Sequence, residues 1–226
     1  MAAPHSHQEW LTILSELIAR NGGVDQYVYV QVTRGMEFGR NHAFPPNVKP
    51  TVFALASALP VLTPELRERG LSAITVEDFR WGRCDIKTTA LLANVLMKQQ
   101  AEDAGVQEAI ILRDGEVLEG ASTSIFIVSN GVLITPPNSH RTLPGTTRDV
   151  ALELATGVMP IEIRSLAEEE LRNADEVWLA SATRDVLPTT RIDGKPVGTG
   201  KPGPLWHAMS VAFAGLRATL AGTSAL

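Results

Sequence analysis

Two dipeptides in the middle of this 226-residue chain constrain its fold more than any other feature: Asp114-Gly115 and Asn130-Gly131. Each lies between short apolar runs, 108–113 before 116–118 and 124–128 before 132–134. A two-residue hairpin turn needs positive φ at both central positions, which Asp, Asn and Gly tolerate. These are therefore hairpin signals, and hairpins pair their strands antiparallel. A sheet built on them is not the all-parallel sheet of an alternating strand–helix array.

The rest of the chain mixes helices with further strands. Ser6-His-Gln-Glu9 has the capping-box pattern, and Trp10, Leu11, Leu14, Leu17 and Ile18 follow at helical spacing until Asn21-Gly22-Gly23. Strands are expected at 27–32, 52–58, 73–77, 161–163 and 176–180. A Gly-punctuated loop and a proline-rich connector fill 34–50, and 60–70 reads as a loop with a helical turn. The strongest helical pattern runs over 85–104, with Leu91, Leu92, Val95 and Leu96 as its buried stripe and Gly105 as its stop. A further helix spans 147–157, with Val150, Ala151, Leu154 and Ala155 on one face. The C-terminal helix starts near Pro204 and turns Leu205, Met209, Ala212 and Leu216 inward. The pattern is α+β, with a small N-terminal part over 1–63 and a larger part over 64–226.

Composition excludes several classes. Lys and Arg number 20 against 25 Asp and Glu, a net charge of −5, which offers no basic face for nucleic acid. The one cysteine, Cys84, allows no intramolecular disulfide and fits a reducing, cytoplasmic setting. No apolar run approaches the ~20 residues of a membrane span, and the first residues lack the basic-then-apolar order of a secretory signal. The five histidines show no metal-ligand spacing, so no metal is expected. Glycine-rich phosphate loops and the Gly-x-Ser-x-Gly pattern are absent from the sequence.

Six windows can carry chemistry. Lys87 stands at the N-terminal end of the 85–104 helix, where the macrodipole disfavours an ammonium. That placement suits an amine that attacks a carbonyl, but this window alone favours a surface lysine paired with Asp85. Arg80, Arg83 and Asp85 are the charged neighbours that bear on its proton affinity. Glu119, after a hairpin strand, can hold a protonated heterocyclic nitrogen or simply end a turn. Gly145-Thr146-Thr147-Arg148 opens a helix and offers amides and hydroxyls to a phosphate, or an ordinary Thr cap. Ser181-Ala182-Thr183 can add donors or be a plain loop. Arg40 and His42, two residues apart, suit a small carboxylate or a solvated pair, and His140-Arg141 is a weaker version of the same.

Taken together, these windows resemble the fold-type IV family of pyridoxal-phosphate (PLP) aminotransferases. The resemblance runs over about 27–216. It is carried by Gln31-Val-Thr-Arg-Gly35, Arg40-Asn-His-Ala-Phe-Pro45, Arg80-Trp-Gly-Arg-Cys-Asp-Ile-Lys87, Asn94-Val-Leu-Met-Lys-Gln99, Glu119-Gly-Ala-Ser-Thr-Ser-Ile-Phe126, Gly145-Thr-Thr-Arg148 and Glu176-Val-Trp-Leu-Ala-Ser181 with Pro188. It implies a small α/β domain followed by a larger mixed, barrel-like sheet domain with helices. It implies that Lys87 carries PLP as a Schiff base and then shuttles the substrate proton. Glu119 would pair with the pyridine nitrogen and Leu143 would pack near the ring. Thr146, Thr147, Ser181 and the amide of Ala182 would cradle the phosphate, and Arg40 and His42 would trap the substrate α-carboxylate. The Arg-x-His pair resembles the members that transfer amino groups from D-amino acids such as D-alanine to 2-oxoglutarate. Branched-chain L-amino-acid, R-amine and aminodeoxychorismate-lyase activities belong to the same fold. Members of the family begin with a further strand-rich stretch carrying a phosphate-binding arginine and an aromatic residue. No residue here maps to either, so a truncated, non-catalytic chain is the competing expectation. The resemblance also implies a homodimer.

Overall fold

The computed structural model describes residues 1, 3–22, 25–40 and 42–223. Gly23, part of the expected helix stop, and Asn41, between Arg40 and His42, lie outside the described residues. The chain forms two compact units, Met1–Val61 and Leu62–Leu226.

In the first unit, α1 (His7–Arg20) is followed by β1 (Gln26–Thr33) and β2 (Thr51–Ala58). The capping box is formed: the Glu9 amide donates to Ser6 Oγ, and the Ser6 amide donates to Glu9 Oε2. β1 and β2 pair antiparallel from Gln26↔Ala58 to Thr33↔Thr51, with the Tyr29 and Phe53 rings 6.4 Å apart. The half-buried side of α1 carries Trp10, Ile13, Leu14 and Leu17, while Leu11 and Ile18 are exposed. In the loop after β1, the Arg34 guanidinium lies 3.8 Å over the Phe44 ring. Gly35 has φ +128°, and a Cβ there would fall 2.2 Å from the Lys49 carbonyl oxygen.

The second unit is built on one ten-stranded sheet among the described residues. In chain order its elements are α2 (Pro64–Arg69), β3 (Leu71–Glu77), α3 (Leu92–Asp103), β4 (Glu108–Arg113), β5 (Glu116–Gly120), β6 (Ser124–Ser129), β7 (Val132–Thr135), α4 (Thr146–Ala155), β8 (Ile161–Ile163), β9 (Leu166–Ala167), α5 (Glu168–Arg172), β10 (Glu176–Ser181), β11 (Asp185–Ile192), β12 (Lys195–Pro196) and α6 (Pro204–Thr223). The strands lie in the order β8-β7-β6-β10-β11-β3-β4-β5-β9, with β12 beside β11. Both expected hairpins are present, with Asp114, Gly115, Asn130 and Gly131 all at positive φ. The β11–β3, β3–β4 and β7–β8 pairs are parallel and the others antiparallel, the mixture expected of α+β. Only Arg164 and Ser165 separate β8 from β9, which stand at opposite ends of the strand order. The sheet therefore curls until its two ends nearly meet.

Curling explains why strands such as β4, β6 and β10 read as unbroken apolar runs: both faces are covered. Ile110, Leu112, Ile125, Ile127, Val177 and Leu179 point into the curl. The alternate residues Phe126, Val128, Trp178 and Ala180 point outward under α4 and α6, and Ala109 and Ile111 lie under α3. Burying side chains of this size is worth roughly 1.5–3 kcal/mol each.

Two helices differ from the sequence expectation. The helix expected over 85–104 begins only at Leu92. The reason is local: the Ala90 amide turns back to Thr88 Oγ1 and the Leu91 amide to the Thr89 carbonyl, so side chain and turn compete with helical pairing. The expected buried stripe is also the wrong face. Leu91 and Leu96 are exposed, as are Leu92 (73 %) and Val95 (58 %), while Met97 and Ala101 are buried. In α6, Trp206, Met209 and Phe213 are the buried anchors, and Leu205, Ala212 and Leu216 are half-buried. The Glu176 carboxylate holds the start of α6, accepting from the amides of Leu205 and Trp206 and from Trp178 Nε1.

A third hairpin, Asp193-Gly194, joins β11 to β12 with the same positive-φ pair. Asp193 also accepts from the Thr75 amide and hydroxyl and pairs with Arg172. Burial pushes its carboxyl up, but these donors outweigh that and hold it below the ordinary aspartate range. A depressed folded-state value contributes stability above the ordinary range and loses it as pH falls through the folded value. Asp193→Asn keeps the turn preference and removes the charge. It is expected to cost about 1 kcal/mol at neutral pH. In denaturant melts that cost should vanish in strong acid; an equal deficit at both pH values would contradict the assignment.

Candidate active site

The site in the second unit is built from β5, the irregular segment 78–91, the loop 136–145, the start of α4 and the β10–β11 turn. β5 supplies Glu119 through an irregularity. Against β4, Ile111 faces Glu119 and Leu112 faces Val117, so Leu118 is an extra residue, a bulge that re-aims the side chain after it. The Glu119 side chain is 8 % exposed. Its Oε1 accepts from Arg80 Nη1, and its Oε2 accepts from the Leu143 amide at 3.0 Å.

Arg80 is held as tightly as it holds. Its side chain is 5 % exposed and that of Asp78 is 0 %. Arg80 Nε and Nη2 donate to the two Asp78 oxygens at 3.0 Å each, and Nη2 also donates to the Arg141 carbonyl. Asp78 further accepts from the Arg80 amide and from Arg113 Nη2, at 2.9 and 2.8 Å. Burial disfavours the Arg80 cation, but the two carboxylates outweigh burial and raise its proton affinity. At Asp78 burial is likewise outweighed by Arg80 and Arg113, and the carboxyl is lowered. At Glu119 burial prevails over Arg80 and the Leu143 amide, and the carboxyl is raised.

The same segment carries Lys87. The Cys84 amide donates to the His140 carbonyl at 2.8 Å, so 78–91 is stitched to loop 136–145 at two points, Cys84 and Arg80. Lys87 itself is exposed on irregular backbone. It is not at a helix mouth, because α3 starts five residues later, and the macrodipole argument for it does not apply. Of its charged neighbours, Arg83 and Asp85 pair with each other at the surface and Arg80 turns inward. Arg141 is committed to Glu116 and Asp114 rather than to a ligand, and His140 is exposed.

α4 has Gly145 as its N-cap and, among the described residues, no side-chain cap. The ordinary Thr cap is thus not what forms. A Cβ on Gly145 would fall 2.4 Å from Ser124 Oγ, so any larger residue there would have to turn the serine hydroxyl aside. Ser124 faces Ala180 across the β6–β10 pair. The helix start, with Thr146 exposed and Thr147 half-buried, therefore converges on the end of β10, where Ser181 is half-buried and Ala182 exposed. A narrow cleft beside these groups is lined by Leu118, Glu119, Ser124, Asn138, Leu143 and Arg148. Arg148 is buried and donates to the Pro136 carbonyl. Arg40 and His42 lie exposed in the loop of the first unit.

Sequence reasoning missed Asp78, Arg113, Ser124 and Arg148 as neighbours of Glu119. The signals were that Arg148 lies in the Gly145-Thr-Thr-Arg148 motif and Ser124 in the Glu119–Phe126 window. The donor set suits PLP. Each Glu119 oxygen keeps a lone pair for a ring N–H, and an uncapped helix start with adjacent hydroxyls suits a phosphate.

The chain is similar to known proteins over most of its length. The family model for amino-transferase class IV matches residues 1–192. A D-alanine aminotransferase from Bacillus licheniformis is 41 % identical over 210 residues, 92 % of this chain and 73 % of that protein. The Escherichia coli branched-chain amino acid aminotransferase superposes with a TM-score of 0.85 at 29 % identity, covering 96 % of this chain and 73 % of that one. A second branched-chain amino acid aminotransferase, the T.th. enzyme solved with pyridoxamine 5'-phosphate, gives 0.85 at 26 % identity, covering 94 % of this chain and 72 % of that one. Among the described residues no helix is long and apolar enough to cross a membrane, and no cluster of metal-ligating side chains is found.

Arg80→Met would leave the buried Glu119 without its counter-ion and Asp78 with Arg113 alone. It is expected to cost about 3–5 kcal/mol in denaturant unfolding, and adding Glu119→Gln should recover part of that. Strict additivity of the two substitutions would contradict the pairing.

Proposed function

For a chain that belongs to the amino-transferase class IV family, we propose PLP-dependent transfer of the amino group of D-amino acids such as D-alanine to 2-oxoglutarate. The observation that carries the reading is the buried Glu119 carboxyl group, aimed by a bulge and held by Arg80 and the Leu143 amide, beside an uncapped helix start. The named relative at 41 % identity supports the D-substrate.

PLP, when bound, supplies an electron sink for the electrons released at the substrate Cα. Glu119 accepts the N–H of the ring nitrogen and keeps it protonated. Thr146, Thr147, Ser181 and the Ala182 amide hold the phosphate oxygens, and Leu143 flanks the ring. Lys87 Nζ would hold the cofactor at its aldehyde carbon, and as a free amine would carry the proton at the substrate Cα. Arg40 and His42 are assigned to the substrate α-carboxylate, where a guanidinium fork and an imidazole donor suit it. We further infer a homodimer, in which a second copy covers the apolar face of α3 formed by Leu91, Leu92, Val95 and Leu96, in the reducing cytoplasm.

A second reading, branched-chain L-amino-acid transamination, is favoured by the structural likeness to the E. coli enzyme. Both are separated by assaying D-alanine against L-leucine with 2-oxoglutarate and PLP. D-alanine is expected to react and L-leucine not, and Lys87→Ala should lower the rate ~10²–10⁴-fold. Preference for L-leucine would overturn the D-specific reading, and full activity of Lys87→Ala would remove Lys87 from the chemistry.

A further inference from the structure

The groups around Glu119 form a chain of alternating charge that the proposed mechanism does not use. It runs from Glu119 to Arg80, from Arg80 to Asp78, and from Asp78 to Arg113 on β4. The formal charges cancel. Arg80 lays its Nε–Nη2 edge on Asp78 and also gives Nη2 to the Arg141 carbonyl, while its Nη1 donates to Glu119. Asp78 is the branch point: it is the only one of the four with a 0 % exposed side chain, and it accepts four hydrogen bonds or ion-pair contacts from three donors of Arg80 and one of Arg113.

We propose that Asp78 is a positioning residue: by clamping Arg80 and balancing it against Arg113, it sets the charge state that Glu119 presents to the cofactor ring. The inference rests on the reading of Glu119 as the partner of the ring nitrogen. Asp78 itself does not touch that ring; it acts through Arg80. The other charged or titratable groups near this chain include Arg148 of α4, which lines the same cleft as Glu119, the buried Cys84 thiol of segment 78–91, and Arg141, which reaches the Arg113 carbonyl and pairs with Glu116 and Asp114. None interrupts the sequence of contacts.

The two ends of the chain give a signed test. Asp78→Asn removes a negative charge and leaves the network one unit positive. The Glu119 carboxylate is then favoured and its proton affinity falls. Arg113→Gln removes a positive charge and leaves it one unit negative, so the proton affinity of Glu119 rises. Arg113 is partly exposed, so its loss is the milder change should Asp78→Asn fail to fold. Residue-resolved carbon NMR of the glutamate carboxyls reads Glu119 in the full chain without PLP. The midpoint is expected to shift down in Asp78→Asn and up in Arg113→Gln, by ~0.5–1 pH unit each. A clamp needed only for folding would move both the same way or neither.

The PLP-loaded protein gives the second readout, the pH midpoint of the bound cofactor's visible absorbance band. That midpoint is expected to follow Glu119, with opposite displacements in the two variants. Opposite shifts in both readouts support the proposal. Shifts of the same sign, or none in folded protein, overturn it while leaving the cofactor reading intact. A Glu119 that titrates as expected in a chain with no visible band in added PLP overturns the cofactor reading, and with it the role assigned to Asp78.

Discussion

One guanidinium organises the functional half of this molecule. Arg80 stands between two buried carboxylates, Asp78 and Glu119, and also reaches the Arg141 carbonyl. In doing so it joins the segment after β3, strand β5 and the loop that leads into α4. Taking such charges out of water costs several kcal/mol per ion, and their pairing roughly repays that cost without a large surplus. Its value is geometric. A buried carboxylate with both oxygens engaged cannot rotate away, and the elements that engage it cannot drift apart.

The sheet supplies the frame for that arrangement. Residues 121–123 alone join β5 to β6, which lie close without pairing in the curled sheet, and Glu119 and Ser124 line one cleft there. The parallel β3 and β4 bring Asp78 and Arg113 to the same end of the sheet. Gly145 completes the frame, since its missing side chain lets the start of α4 rest on Ser124. The positive end of that helix and the carboxylate of Glu119 then flank one cleft, an arrangement that suits a ligand with an anionic group at one end and a protonated nitrogen at the other.

Much of the frame was legible in the chain, and for physical reasons. Asp-Gly and Asn-Gly turns declare themselves because few residues tolerate two successive positive φ values. The capping box at Ser6 is equally local. The third hairpin, at Asp193-Gly194, carries the same dipeptide, but the strand before it holds Pro188, two threonines and Arg191, which hide its alternation. The start of α3 was not legible, because Thr88 and Thr89 compete with the helix only through turns that spacing does not reveal. Periodicity found an apolar stripe on α3 but could not say what covers it. Arg80 reads in sequence as a neighbour of Lys87, seven residues away; its contact is Glu119, 39 residues away, which local pattern cannot supply.

We propose that Lys87, Glu119 and the start of α4 together hold PLP and process a D-amino acid. The most direct measurement is an absorbance spectrum of the purified chain with added PLP, before and after D-alanine. The account predicts a protein-bound visible band that gives way, on adding D-alanine, to the near-ultraviolet band of the aminated cofactor. A folded protein that shows no such band, or a band that D-alanine leaves unchanged, would contradict it.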